Sequence, residues 1–88
     1  MSFPKLELFY YEECPFCQFV LQTIKKLNIL VEYKNIREDS ANLNKLLNDT
    51  GRRTTPCLYI NNRPMFESSD IVSWLNQQLE NLEKRQSK

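Results

Sequence analysis

Apolar and polar residues follow one another along the chain with spacings that predict alternating strands and helices. Residues 5–10 place leucine and tyrosine on one face and Phe9 on the other, which predicts a well-buried first strand. A helix is predicted over residues 15–28, and a second, half-exposed strand over residues 31–36. The predicted inward positions of that helix are Phe16, Val20, Ile24 and Leu27. The first part of the chain therefore has the order strand, helix, strand.

A short helix and a third strand are predicted next. Ser40 is a suitable N-cap for this helix, and Gly51 is suited to a left-handed cap at its end. The segment 54–56 then restarts the chain in an extended form, because the residue before a proline avoids the helical region. A third strand is predicted from Leu58 to Ile60.

A hairpin and a last helix complete the pattern. Asn61-Asn62 is a turn signal, and residues 65–66 can form a short antiparallel strand after it. Ser68 begins the last helix, and the tail over residues 84–88 is expected to fray. The inward positions of this helix are Ile71, Leu75, Leu79 and Leu82, and Phe19 and Trp74 are also expected in the core. This order predicts an α/β fold with a right-handed βαβ unit, a hairpin and a helix.

Composition and charge narrow the class of protein. A length of 88 residues suits one compact domain over 1–88, and a hydrophobic content of 41% allows a core without disulfides. The net charge is +1 with both signs mixed along the chain, which argues against nucleic acid or an anionic membrane as a partner. We find neither a secretory signal pattern nor an apolar run of about 20 residues. A cytoplasmic protein with reduced cysteines is therefore expected.

Cys14 and Cys17 form a Cys-x-x-Cys motif between the first strand and the first helix. A thiol attacks a disulfide only as the thiolate, so a catalytic cysteine needs a lowered pKa. Free backbone N–H groups and the helix dipole favour an anion at Cys14, whereas Glu12 and Glu13 oppose it. We predict Cys14 as an exposed nucleophile and Cys17, one turn further in, as a more buried resolving thiol.

The motif has two other interpretations. The first is that the motif forms half of a zinc site, because a complete zinc site needs four cysteine or histidine ligands. The chain has no histidine and only Cys57 beyond the motif, so no metal site is predicted. Small thiols packed in a core are the second alternative, although a Cys-x-x-Cys in a βαβ pattern is typical of redox proteins. Cys57 itself is expected to be a buried small residue, and the side of the strand that it faces stays open.

Two segments resemble the glutaredoxin family. Cys14-Pro15-Phe16-Cys17 is similar to its CPYC motif, and residues 50–56 are similar to its TGxRTVP segment. The resemblance implies a thioredoxin fold, in which a four-stranded mixed sheet is flanked by three helices in the order βαβαββα. It also implies that Pro56 is cis and faces the active cysteine, and that the backbone of Thr55 pairs with the cysteinyl part of glutathione.

The resemblance implies further glutathione contacts. Tyr11 stands where many glutaredoxins carry a lysine that contacts glutathione. Arg53, with Arg52 as the second candidate, is expected to hold the glycyl carboxylate, and an ordinary solvated arginine pair is the alternative. The segment 67–72 resembles instead the N-terminal domain of glutathione transferases. By that resemblance Ser68, with Ser69 beside it, binds the γ-glutamyl carboxylate at a helix N-terminus. A plain N-cap is the alternative for Ser68.

The implied function is that of a glutaredoxin, a glutathione-dependent thiol–disulfide oxidoreductase. Cys14 would take the glutathionyl group from a mixed disulfide, and Cys17 would resolve protein dithiol substrates. Glutathione is then a cosubstrate and no tightly bound cofactor is expected. The expected partners are disulfide-containing or glutathionylated proteins, with glutathione reductase acting indirectly, and the chain is expected to be a monomer. The alternatives are a glutathione-ligated iron–sulfur cluster carrier and a non-catalytic glutathione-binding module.

Overall fold

Residues 3–85 are described by a computed structural model of the chain, and this part forms four strands and three α-helices. The strands are β1 (Leu6–Tyr10), β2 (Glu32–Asn35), β3 (Cys57–Ile60) and β4 (Arg63–Phe66). The helices are α1 (Pro15–Leu27), α2 (Ser40–Thr50) and α3 (Ser68–Gln77), and a 3₁₀ turn follows at Leu79–Asn81. The order βαβαββα that the sequence predicts is confirmed.

The strands form one mixed sheet in the order β2-β1-β3-β4. β1 pairs in parallel with β2, where Leu8 lies opposite Tyr33, and antiparallel with β3, where Leu8 lies opposite Leu58. β3 and β4 form an antiparallel hairpin, and its turn residues Asn61 and Asn62 have φ values of 50° and 69°. Asparagine tolerates this left-handed region, so the predicted turn is confirmed.

Apolar side chains bury both faces of the sheet. Successive residues of a strand point to opposite faces, so Leu8 and Leu58 face one cluster while Phe9 and Tyr59 face the other. The first cluster includes residues of α1 and α3, and the second includes Leu46 of α2. The helices α1 and α3 therefore cover one face of the sheet, and α2 covers the other.

The helix caps differ in part from those predicted. Gly51 ends α2 in the left-handed region, at a φ of 71°, as predicted. The N-cap of α2 is Asp39 rather than Ser40, because the Asp39 carboxylate accepts the backbone N–H of Ala41. The predicted start of α3 at Ser68 is correct, but the N-cap position is occupied by Glu67, so the interpretation of Ser68 as a plain N-cap is wrong.

Two aromatic side chains of α1 lie outside the core, contrary to the prediction. Phe16 is 60% exposed and Phe19 is 61% exposed. The buried stripe of α1 consists instead of Cys17, Val20 and Ile24, and a helix that turns 100° per residue carries positions 16 and 19 away from that stripe. Trp74, in contrast, packs against the core as predicted.

The predicted fraying of the tail is wrong for Lys84 and Arg85. Lys84 forms a bridge with Ile29, and the backbone N–H of Arg85 donates to the Asn28 carbonyl oxygen at 2.9 Å. These backbone bonds fix the segment whatever its side-chain polarity. The remainder of the predicted tail, residues 86–88, lies outside the described residues. Among residues 3–85, no helix is both long and apolar enough to cross a bilayer.

Candidate active site

Cys14 occupies the N-cap position of α1, immediately after the turn that follows β1. Its backbone is extended, with φ −79° and ψ 114°, and its sulfur accepts the backbone N–H of Cys17 at 3.3 Å. Pro15 at the first helical position has no N–H that would need a partner. The sulfur therefore satisfies one of the unpaired donors at the start of the helix, where a negative charge is favoured.

A second segment, distant in sequence, meets Cys14 from the end of the loop before β3. The Thr55 hydroxyl donates to the Cys14 sulfur at 3.7 Å, and the same sulfur lies 3.9 Å from the Thr55 carbonyl oxygen. The Thr55–Pro56 peptide bond is cis, as the family resemblance implies. The pairing of β3 with β1 explains the meeting, because it brings the start of β3 beside the end of β1.

At Cys14, hydrogen bonds lower the pKa of the thiol by more than burial raises it. Burial by itself raises the pKa of Cys14, but donors from the Cys17 thiol, the Cys17 backbone N–H and the Thr55 hydroxyl lower it. The backbone N–H of Phe16 acts in the same direction, and the net effect is a pKa below the ordinary value of a cysteine. Cys14 therefore carries more thiolate at neutral pH than an ordinary cysteine does.

The pKa of Cys17 is shifted in the opposite direction. This residue is fully buried, and burial together with its hydrogen bond to Cys14 raises the pKa of Cys17 to about 11. The two thiols are thus unequal, with the thiolate at Cys14 and the proton at Cys17. One expectation is wrong, because Cys14 is itself only 4% exposed. Its position against the Thr55 hydroxyl and carbonyl accounts for this low exposure.

Cys57 points away from this pair. Its side chain lies in the cluster on the α2 side of the sheet, with Phe9, Leu46 and Tyr59. Burial raises the pKa of Cys57 to about 12, so it is a neutral thiol at physiological pH. The prediction of a buried small residue is confirmed, and the open question of its orientation is answered.

Arg37 is a residue that the sequence analysis did not select. Its guanidinium carbon lies 4.0 Å from the ring centroid of Tyr11, and its Nη1 donates to Glu13 Oε1 at 3.1 Å. A positive charge therefore lies beside Tyr11, and it offsets the negative charge that Glu13 places next to Cys14. The available signal was its place two residues after the end of β2, since parallel strands end at the same edge of a sheet.

A cavity of about 530 Å³ brings several of the predicted residues together. Its walls come from the start of α1, the loop before β3 and the first turn of α3. The lining residues are Phe16, Thr54, Thr55, Pro56, Glu67, Ser68 and Ser69. Arg53 is not among them, and within residues 3–85 it is exposed and has no ion pair or hydrogen bond to another side chain. Tyr11 lies outside this lining as well, against Arg37.

Glu67 has an unusual backbone conformation at the edge of this cavity. Its φ is 76° and its ψ is 116°, a region that residues with a side chain rarely adopt. Such conformations cluster at ligand sites, where the surrounding structure holds them in place. No feature of the sequence predicts this strained backbone.

Within residues 3–85, no three His, Cys, Asp or Glu side chains are grouped as metal ligands.

The Thr55 hydroxyl provides a test of the electrostatics at Cys14. In Thr55→Val this donor is lost while the shape of the side chain is kept, so the pKa of Cys14 is expected to rise. An ultraviolet titration of thiolate absorbance measures this, because burial raises the pKa of Cys17 to about 11 and the pKa of Cys57 to about 12, well above the pKa of Cys14. Thr54→Val, at the neighbouring exposed position, is the matched control. Equal titration curves for the wild type and Thr55→Val would contradict the hydrogen bond.

The fold and this pair of unequal thiols define a class, the thioredoxin-fold proteins with a Cys-x-x-Cys site at the start of the first helix. Residues 8–83 match the family described as "Glutathione S-transferase, N-terminal domain". A curated protein of Acanthamoeba polyphaga mimivirus, "Probable glutaredoxin", is 33% identical over an alignment 82 residues long, and the match covers 81% of this chain and 77% of that protein. The chain therefore belongs to the glutathione S-transferase N-terminal domain family and is glutaredoxin-like.

Solved structures agree with this fold. An epsilon-class glutathione S-transferase from the housefly, Musca domestica, superposes with a TM-score of 0.73 at 25% identity, over 85% of this chain and 35% of that protein. Wheat glutaredoxin superposes with a TM-score of 0.63 at 25% identity, over 82% of this chain and 70% of that protein. The chain thus spans about a third of the length of the transferase that it matches. The predicted thioredoxin fold is confirmed.

Proposed function

We propose that the chain is a glutathione-dependent thiol–disulfide oxidoreductase that reduces protein disulfides and protein–glutathione mixed disulfides. The observation that carries the proposal is the Cys14 sulfur at the N-cap of α1, where its hydrogen bonds lower its pKa. Similarity to a protein called a probable glutaredoxin supports the reaction type, and the match to a transferase domain supports glutathione as the thiol substrate.

The reduction of a mixed disulfide needs only Cys14. Its thiolate attacks the glutathione sulfur, a Cys14–glutathione disulfide forms, and the original disulfide breaks as the substrate leaves as a thiolate that takes a proton from water. A second glutathione thiolate then attacks the glutathione sulfur on Cys14. Glutathione disulfide leaves, and the Cys14 thiolate is restored. One glutathione thiol is thereby oxidised in each turnover and the substrate sulfur is reduced, because the glutathionyl group that the substrate delivers is already at the disulfide level.

The reduction of a protein disulfide needs Cys17 as well. After Cys14 attacks, the substrate is held through a mixed disulfide, and the Cys17 sulfur attacks Cys14 to release the reduced substrate. The close approach of Cys17 N–H to the Cys14 sulfur, at 3.3 Å, supports this exchange. A proton must first leave Cys17, because only the thiolate attacks a disulfide. Two glutathione molecules then reduce the Cys14–Cys17 disulfide.

The cavity beside Cys14 suits the parts of glutathione. Thr55, next to the sulfur, offers its backbone to the cysteinyl residue. Ser68 and Ser69 stand in the first turn of α3, where free N–H groups and the helix dipole favour the γ-glutamyl carboxylate. The carboxylate of Glu67, in the same lining, complements the ammonium group of that residue. We assign the glycyl carboxylate to Arg53, an exposed cation three residues before Pro56.

The direct test is glutathione-dependent reduction of the mixed disulfide between glutathione and 2-mercaptoethanol, coupled to glutathione reductase. Turnover that saturates with the mixed disulfide is the expected result. An inactive wild type that still binds glutathione in a calorimetric titration would overturn the oxidoreductase and leave a glutathione-binding module. An iron–sulfur carrier would show visible absorbance after anaerobic purification together with absence of turnover, which also overturns the proposal.

Ser68 is the binding residue with the sharpest test. In Ser68→Ala the KM for the mixed disulfide is expected to rise at least about tenfold with kcat nearly unchanged, because a hydrogen bond to a charged group contributes about 1.5–3 kcal/mol. Ser40→Ala, at the exposed first position of α2 on the other side of the sheet, is the matched control and should keep the wild-type KM. An unchanged KM in Ser68→Ala would remove Ser68 from the glutathione site.

A further inference from the structure

A second cavity, of about 330 Å³, lies between α1 and α3 beside the active-site cavity. It is called here the α1–α3 groove, and its lining residues are Phe19, Ser68, Ser69, Val72 and Ser73. Two of these residues, Ser68 and Ser69, also line the cavity beside Cys14. The groove therefore continues directly from the proposed glutathione site and is not an isolated depression.

The sequences of two helices explain why the groove forms. Ser69, Val72 and Ser73 are spaced three and four residues apart, so they share one outer face of α3, and all three are small or medium in size. The neighbouring helix α1 presents the large ring of Phe19 to the same space. Phe16, one turn earlier on α1, lines the active-site cavity. An aromatic strip thus runs from the reacting cysteine into the groove.

The chemistry of the lining selects an apolar, uncharged occupant. The groove has no charged side chain, and its polar groups are serine hydroxyls. Glutathione carries two carboxylates and an ammonium group, and unpaired charges are unfavourable in such surroundings. Phe16 and Phe19, in contrast, are large apolar side chains that remain mostly exposed, which is the character of an interaction site. The groove therefore suits a side chain of the reaction partner rather than glutathione.

We propose that the α1–α3 groove binds an apolar side chain that flanks the glutathionylated cysteine of a protein substrate. This inference rests on the proposed function, since it names the substrate class of the same site. The dimensions agree, because a helix rises about 1.5 Å per residue, which places Phe19 about 7.5 Å along α1 from Cys14. Two residues of an extended chain span about 7 Å, a similar length, so a side chain two positions from the substrate cysteine is long enough to reach the groove from the cavity beside Cys14.

The test compares two glutathionylated peptides. Both carry the mixed disulfide on a central cysteine, and they differ only in having phenylalanine or serine two positions away on either side. The wild type is expected to reduce the phenylalanine peptide with a kcat/KM about tenfold higher, because burial of part of an aromatic ring is worth about that factor. Phe19→Gln is expected to lower this preference to about twofold and to keep the kcat/KM for the serine peptide.

A matched control separates the groove from general surface hydrophobicity. Phe3 is an exposed phenylalanine that lines a different surface depression, with Pro4 and Leu30, so Phe3→Gln should keep the full preference. Equal rates of the wild type on both peptides would overturn the inference and leave the proposed function intact. No turnover of either peptide, or of the small mixed disulfide, would instead refute the proposed function.

Two further outcomes would also overturn the inference. Phe19→Gln could lower the rates on both peptides by the same factor, which would assign Phe19 a general role without selectivity. Sedimentation could show a wild-type dimer that Phe19→Gln dissociates, with no preference between the peptides. In that case a second copy of the chain, and not a substrate side chain, would occupy the groove.

Discussion

Cys14→Ser is expected to lower glutathione-dependent turnover of a mixed disulfide by at least about a thousandfold. The serine hydroxyl is not ionised at neutral pH, so the variant has no thiolate to attack the disulfide. Serine is a good N-cap and can accept the Cys17 N–H that the Cys14 sulfur accepts, so helix α1 keeps its cap. The loss of activity should thus appear in a folded protein. The coupled assay measures turnover, and circular dichroism checks the fold.

Cys17→Ser is the matched control for this prediction. Its hydroxyl can still donate to the Cys14 sulfur, so the thiolate should persist and turnover of a small mixed disulfide should stay within about fivefold of the wild type. Reduction of a protein disulfide should fall much further, because it needs the second thiol. Activity that survives in Cys14→Ser and disappears in Cys17→Ser would reverse the roles of the two cysteines.

The order of elements could be predicted because each one has a clear local pattern. The stripe of α3 with Ile71 and Leu75 follows the helical period, and both residues are fully buried. Gly51 and Asn61-Asn62 mark places where the backbone needs a left-handed conformation, and the structure has positive φ at each of them. These signals depend on a few neighbouring residues and do not require knowledge of the folded chain.

Other features depend on packing that a local pattern does not contain. Phe16 and Phe19 fit an apolar helical spacing, but the buried face of α1 is formed by Cys17, Val20 and Ile24 instead. Asp39 and Ser40 are both good caps, and their order alone does not distinguish them. The backbone pairing of Arg85 with residue 28 likewise depends on where the fold brings two distant segments.

The structure brings Cys14 and Thr55 together, whereas other residues expected at the site lie outside the lining of the cavity. Cys14 and Cys17 follow from motif and position, and the cis bond before Pro56 followed only from the family resemblance. The contact of Arg37 with Tyr11 joins residues from two strand ends, so it appears only once β1 and β2 are paired. Arg53 was selected from a motif, but it lies outside the lining of the cavity, so its assignment rests on that resemblance alone.

The second large effect concerns the scaffold that holds the two cysteines next to Thr55. Leu8 lies in β1, between β2 and β3, and its side chain is fully buried in the cluster under α1 and α3. Leu8→Ala is expected to lower the free energy of unfolding by about 2–5 kcal/mol, because it removes buried methyl groups and leaves a cavity. Domains of this size have a total of about 5–15 kcal/mol, so the urea midpoint should fall strongly.

Leu30→Ala is the matched control, since it makes the same chemical change at a side chain that is 46% exposed. Its expected effect is within about 0.5–1 kcal/mol, because little apolar surface leaves the core. Because the chemical change is the same, the difference between the two variants reports mostly the burial of Leu8. Loss of stability in Leu8→Ala should also open the contact between the start of β3 and the end of β1, on which the Thr55–Cys14 hydrogen bond depends. Equal urea midpoints for the two variants would show that β1 is not the centre of this core.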